Sequence, residues 1–174
     1  MCFQIAICTS DDRRATEDTL NNLELHHYVS ALTCGDDVNL RPKPHPNHIQ
    51  HVCDVMTLAP SDVIMVGDTR HDMRMGVDAG VALNIGVLSG TGSRLDLSRD
   101  ADVIVANVKQ ALPVILEPLP EVNKRRKRTE DANGDADSVS AVIFDKDGTL
   151  VCFHSMWTPF AEKIIAQCVT SLPD

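Results

Sequence analysis

At 174 residues and 43% hydrophobic content, the chain has the length of about one domain and can bury a core. A net charge of −9 argues against nucleic-acid or anionic-membrane binding through the whole surface. No run of eighteen apolar residues is present, which excludes a transmembrane helix.

The segment Met1-Cys2-Phe3-Gln4-Ile5-Ala6-Ile7-Cys8 has neither a basic lead nor a small-residue cleavage site, so it makes a poor signal peptide. It reads instead as a core strand from Phe3 to Cys8, ending at Thr9-Ser10. Asp11, Asp12 and Glu17 suit the first turn of a helix running to about Leu25, where acidic groups meet the positive end of the helix dipole. Tyr28 to Thr33 is a second strand, and Cys34 to Pro46 a loop punctuated by Gly35, Pro42, Pro44 and Pro46. Asn47 to Leu58 has helical spacing at Ile49, Val52, Val55 and Met56. His45, His48 and His51 recur there without a carboxylate or Cys partner at matching spacing, so they read as an ordinary polar face and not a metal site.

Asp62 to Val66 is a strand leading into Gly67-Asp68-Thr69-Arg70-His71-Asp72, and Met73 to Ala79 continues as a helix capped by Gly80. Val81 to Val87 is another strand, followed by the loop Ser89-Gly90-Thr91-Gly92-Ser93. Asp102 to Val105 is a short strand and Val108 to Leu116 a helix. Strand and helix alternating at this spacing predict a parallel, doubly wound sheet.

Beyond residue 118 the character changes. Residues 119–140 carry the basic run Lys124-Arg125-Arg126-Lys127-Arg128, an acidic stretch from Glu130 to Asp137 and almost no apolar residue, which predicts a disordered charged linker. The basic run fits a nuclear-localisation or nucleic-acid patch, but its acidic neighbours favour a solvated linker in a cytoplasmic protein. Then Ala141-Val142-Ile143-Phe144 forms an apolar run that ends in Asp145-Lys146-Asp147-Gly148-Thr149-Leu150, and Trp157 to Cys168 is helical. Cys2, Cys8, Cys34, Cys53, Cys152 and Cys168 form no Cys-x-x-Cys pair and read as reduced, mostly buried thiols.

A buried strand over Ala141–Phe144 puts Asp145 at its carboxyl end, where open α/β sheets build their sites. Residues i and i+2 of an extended segment share a face, so Asp145 and Asp147 can converge on one ion or phosphate, and Gly148 lets the backbone turn away. With the rest of the chain, this stretch resembles the haloacid dehalogenase (HAD) superfamily of phosphatases. Asp145-Lys146-Asp147-Gly148-Thr149-Leu150 matches its first motif. Ile5 to Thr9, with Ser10 next, matches the second; Arg41-Pro42-Lys43-Pro44-His45-Pro46 matches the third as found in phosphoglycolate-phosphatase-like members; Val66 to Asp72 matches the fourth.

The resemblance implies a three-layer α/β/α Rossmann-like core with a parallel sheet. It also implies Asp145 as nucleophile, Asp147 as general acid/base and Lys43 as a catalytic group that neutralises phosphoryl charge. Thr9, Ser10 and Lys43 would bind phosphate; Asp145, Asp147 (through its backbone carbonyl) and Asp68 would hold Mg²⁺, with Asp72 holding a ligand water. A calcium loop is excluded because the spaced ligands and terminal Glu of an EF-hand are missing.

The order of motifs is two, three, four, linker, one, whereas the family begins with motif one and a cap insertion. Residues 1–118 therefore read as a core carrying motifs two to four. Residues 141–174 supply motif one and the start of a cap helix, with the cap largely missing. Either the back of one domain is joined to the front of the next, as in a tandem fragment, or the chain is a circular permutant completed by its own tail. Met1 falling on a core strand and Asp174 falling within cap sequence read as truncation. A linker of about 22 residues spans roughly 26 Å root-mean-square, so completion within the same chain is feasible. The leading reading is a Mg²⁺-dependent phosphomonoester hydrolase acting on a small phosphorylated metabolite; the alternative is a catalytically impaired fragment acting as an interaction module.

Overall fold

A computed structural model describes residues 3–117 and 139–150. The basic run Lys124–Arg128, nearly all of the charged linker, the helix expected over 157–168, and Cys2, Cys152 and Cys168 lie outside the described residues. The chain alternates strand and helix: β1 (Gln4–Cys8), α1 (Arg13–Asn22), β2 (Val29–Thr33), α2 (Asn47–Met56), β3 (Val63–Gly67), α3 (Arg70–Ala79), β4 (Leu83–Val87), α4 (Arg94–Leu97), β5 (Val103–Val105), α5 (Val108–Leu116) and β6 (Ala141–Phe144).

All strand pairs are parallel, in the order β2-β1-β6-β3-β4-β5. The last strand in sequence therefore lies near the middle of the sheet. Its residues Ala141 to Phe144 pair with Gln4 to Ile7 of β1 on one side and with Val63 to Val66 of β3 on the other. All four residues are buried, as a strand covered on both faces requires. Without β6, β1 and β3 would face each other across an unpaired gap, each with open backbone donors and acceptors.

Period-two alternation sorts the strand side chains into two cores. On one face Ile5, Ile7, Val142, Phe144, Ile64 and Val66 pack with Leu20 of α1 and with Val108, Leu112 and Ile115 of α5. On the other, Ala6, Cys8, Ala141, Ile143, Val63 and Met65 pack with Ile49 and Val52 of α2, Met73 of α3 and Leu97 of α4. This is the three-layer α/β/α arrangement. Helix starts follow local chemistry: Asp12 caps α1 by accepting from the Ala15 amide, and Thr69 and Asp72 form a reciprocal capping box on α3. Gly80, in the left-handed region at φ 80°, closes α3.

One helix was not anticipated and one expectation needs correction. The loop expected at Ser89–Ser93 is present and leads directly into α4, started by a Ser93/Asp96 capping box. The histidines do not form one polar face. His51 is exposed, but His48 is only 2% exposed, packed on α2 beside Ile49 and Val52, and burial and then Lys43 lower its pKa so that the ring stays neutral.

Candidate active site

The carboxyl ends of β1, β6 and β3 converge on a cavity of about 290 Å³, lined by Ser10, Lys43, Asp68, Thr69, His71, Asp72, Thr91, Asp145, Asp147 and Gly148. The parallel sheet sets this up: the backbone amide of Asp145 donates to Val66 O of β3 (2.9 Å), so the residue after β6 stands directly beside Gly67-Asp68.

Lys43 organises the floor. Its Nζ donates to Asp145 Oδ1 (2.6 Å), Asp72 Oδ1 (2.7 Å) and the Cys8 carbonyl (2.8 Å), which uses all three ammonium donors. Residues 102 positions apart in sequence thus meet in one buried ion pair. Burial opposes the charge on Lys43, but the two carboxylates outweigh it and raise its pKa above the ordinary lysine value. Asp145 is also shifted upward, to about 7: burial is the main cause, Lys43 counteracts it, and Asp72 and Asp68 add repulsion. Three carboxylates share one lysine, so the cluster carries excess negative charge that burial makes costly.

The other carboxylates are held firmly. Asp72 Oδ2 accepts from Thr69 N (3.0 Å) and from the Thr69 hydroxyl (2.5 Å). Asp68 Oδ2 accepts from Thr91 N (2.7 Å), and its Oδ1 from the Thr149 hydroxyl (3.4 Å). Oxygens of Asp68, Asp72 and Asp145 all lie within 4.8 Å of one another. A buried cluster of carboxylate oxygens at that spacing suits a small hard dication, which takes oxygen ligands and offsets the excess charge. Gly148 keeps the space open: its φ is +76°, and an added Cβ would lie 2.6 Å from Asp68 Oδ2.

Asp147 behaves differently from this cluster. It borders the cavity, but its side chain is 52% exposed and its Oδ1 accepts from Lys146 Nζ (2.7 Å). Lys146 is itself buried and also pairs with Asp11 Oδ2 (2.6 Å), holding the Asp11 carboxyl below its usual pKa. Of the residues matched to the second motif, Ser10 lines the cavity, while Thr9 is fully buried and its Oγ1 accepts from Asp11 N (3.1 Å). Thr91, Thr149, Thr69, His71, Lys146 and Asp11 escape the motif reading. Thr149 lies inside the first motif, and the hydroxyl at position 69 is the N-cap signal for α3.

A family model described as haloacid dehalogenase-like hydrolase matches residues 1–85, which takes in Thr9, Lys43, Asp68 and Asp72 and stops short of Asp145. The phosphoglycolate phosphatase of Neisseria gonorrhoeae is 32% identical over 69% of this chain and 50% of its own length. That of Escherichia coli is 35% identical over 59% of this chain and 40% of its own. The chain thus spans half or less of the length of these curated relatives. Among solved structures, a predicted phosphoglycolate phosphatase from Haemophilus somnus superposes with a TM-score of 0.57 at 22% identity, over 63% of this chain and 48% of that one, a likeness of fold. The motifs, the sheet order and the family match agree, and the chain is similar to the haloacid dehalogenase-like hydrolases.

Proposed function

We propose that the chain is a Mg²⁺-dependent phosphomonoester hydrolase that works through an aspartyl-phosphate on Asp145, with residues 1–118 and the segment from residue 141 acting as one catalytic unit. The observation that carries this reading is the bridge from Lys43 Nζ to Asp72 and Asp145 in a cavity that also holds Asp68.

In the first step an Asp145 oxygen attacks phosphorus and the ester P–O bond breaks, while Asp147 gives its proton to the departing alcohol. In the second, water attacks the acyl phosphate, its proton passes to Asp147, and the bond from phosphorus to Asp145 breaks to release inorganic phosphate. Lys43 stabilises charge on the phosphoryl oxygens and orients the nucleophile, and Ser10 and Thr9 shape the phosphate pocket. Asp68, Asp72, Asp145 and the Asp147 carbonyl would hold the cation, which when bound neutralises the carboxylates and polarises the phosphoryl group. To reach a substrate, the Asp147 carboxylate has to leave Lys146 and turn into the cavity it borders.

The phosphoglycolate phosphatases among the relatives support a small phosphorylated metabolite as substrate. Hydrolysis of p-nitrophenyl phosphate with and without Mg²⁺, by the wild type and by Asp145→Asn, tests the reading. Mg²⁺-dependent turnover lost in the variant is expected. Equal rates for the two proteins would instead favour a fragment that keeps the fold as an interaction module.

A further inference from the structure

Beside the catalytic cavity runs a second concavity of about 260 Å³, lined by Pro44, Arg70, His71, Arg74, Arg99 and Asp100. It adjoins the first. His71 lines both, and Lys43 lines the cavity while Pro44, the next residue, lines the groove. Three guanidinium groups on one short groove stand out in a chain of net charge −9.

The three arginines are not equivalent. Arg74 is tethered, with NH2 2.7 Å from Asp78 and NH1 3.9 Å from Asp100. The Arg70 and Arg99 side chains are exposed and make no ion pair or hydrogen bond among the described residues, although the Asp96 carboxylate lies within the electrostatic reach of both. A fork of N–H donors matches the geometry of phosphate and carboxylate oxygens, and two unpaired forks beside a site for a phosphoryl group favour a ligand with charge at both ends. The local positive field also offsets the repulsion that an acidic protein exerts on a polyanion.

We propose that this groove is a second anion subsite of the same active site, so that the preferred substrate is a phosphomonoester bearing a further phosphate or carboxylate several bonds from the ester. The proposal rests on the phosphatase reading for the first subsite.

The test is calorimetric binding to the full-length Asp145→Asn protein in Mg²⁺, which does not require turnover. Fructose 1,6-bisphosphate should bind about tenfold more tightly than glucose 6-phosphate. 3-Phosphoglycerate distinguishes a carboxylate from a second phosphate as the preferred end group. Adding Arg70→Gln and Arg99→Gln should abolish the bisphosphate advantage and leave glucose 6-phosphate within about twofold. In the Asp145-intact protein the same two changes should leave p-nitrophenyl phosphate turnover unchanged. Equal binding of mono- and bisphosphate, or an advantage that survives both substitutions, overturns the subsite. Absence of p-nitrophenyl phosphate turnover in the wild type overturns the phosphatase reading, while the affinity comparison still decides the groove.

Discussion

Asp145 and Asp147 stand two residues apart on the same turn and occupy opposite environments. The Asp145 side chain is 9% exposed, pinned by a buried lysine and crowded by two further carboxylates; that of Asp147 is 52% exposed and rests on Lys146. The first arrangement gives a fixed, electrostatically loaded oxygen, suited to attack and to cation binding. The second gives a half-exposed carboxylate, which suits the proposed role of donating and then accepting a proton. The difference arises from the sheet, because Asp145 still makes the ladder bond to Val66 and Asp147 lies beyond it.

Substitutions can break this contrast in a graded way. Asp145→Asn should lower kcat by on the order of 10⁴ or more, as loss of a nucleophile does. Asp147→Asn should lower it by about 10²–10⁴, with unfolding free energy changed by no more than about 0.5 kcal/mol, since the group is half-exposed. Stopped assays and urea denaturation of both variants check the pair. Lys43→Met should cost about 3–5 kcal/mol in the metal-free protein, because it leaves two buried carboxylates without their cation. Added Mg²⁺ should return part of that loss in the same urea titration.

A smaller effect of Asp145 is read through pH. Burial raises the Asp145 carboxyl, against the pull of Lys43, from 3.8 to about 7, so the folded metal-free protein keeps a proton that the unfolded chain has released. The folded state binds more protons in that interval, so this site costs nothing below about pH 4, erodes stability as pH rises toward about 7, and adds no further loss above it. The Tm of Asp145→Asn minus that of wild type should therefore grow by several degrees between pH 4 and 7 and then level off.

The strands were legible because doubly covered parallel strands are continuous apolar runs, as in Val63 to Val66 and Ala141 to Phe144. The central slot of β6 was not contained in any local pattern; it appears only in the pairing of Ala141 to Phe144 with β1 and β3. Helix α4 was overlooked although Ser93 and Asp96 have capping-box spacing, because the Gly/Ser loop before it masks a four-residue helix. His48 lies one position from Ile49, and its spacing from His45 and His51 read as polar although the helix turns it into the core. Lys146 sits between two aspartates, and no role was read for it in sequence. Only the fold brings Asp11, from the loop after β1, within 2.6 Å of it. The same holds for Thr91, which reaches Asp68 across 23 residues of sequence.

The central claim is that a segment at residue 145 completes a site built by residues before 92, and a double-mutant cycle between Lys43 and Asp145 tests it without reference to activity. Urea unfolding of the metal-free wild type, Lys43→Met, Asp145→Asn and the double variant gives the coupling directly. Contact at 2.6 Å predicts a favourable coupling on the order of 1–3 kcal/mol. Additivity within about 0.5 kcal/mol would mean that Asp145 and Lys43 do not meet in this chain.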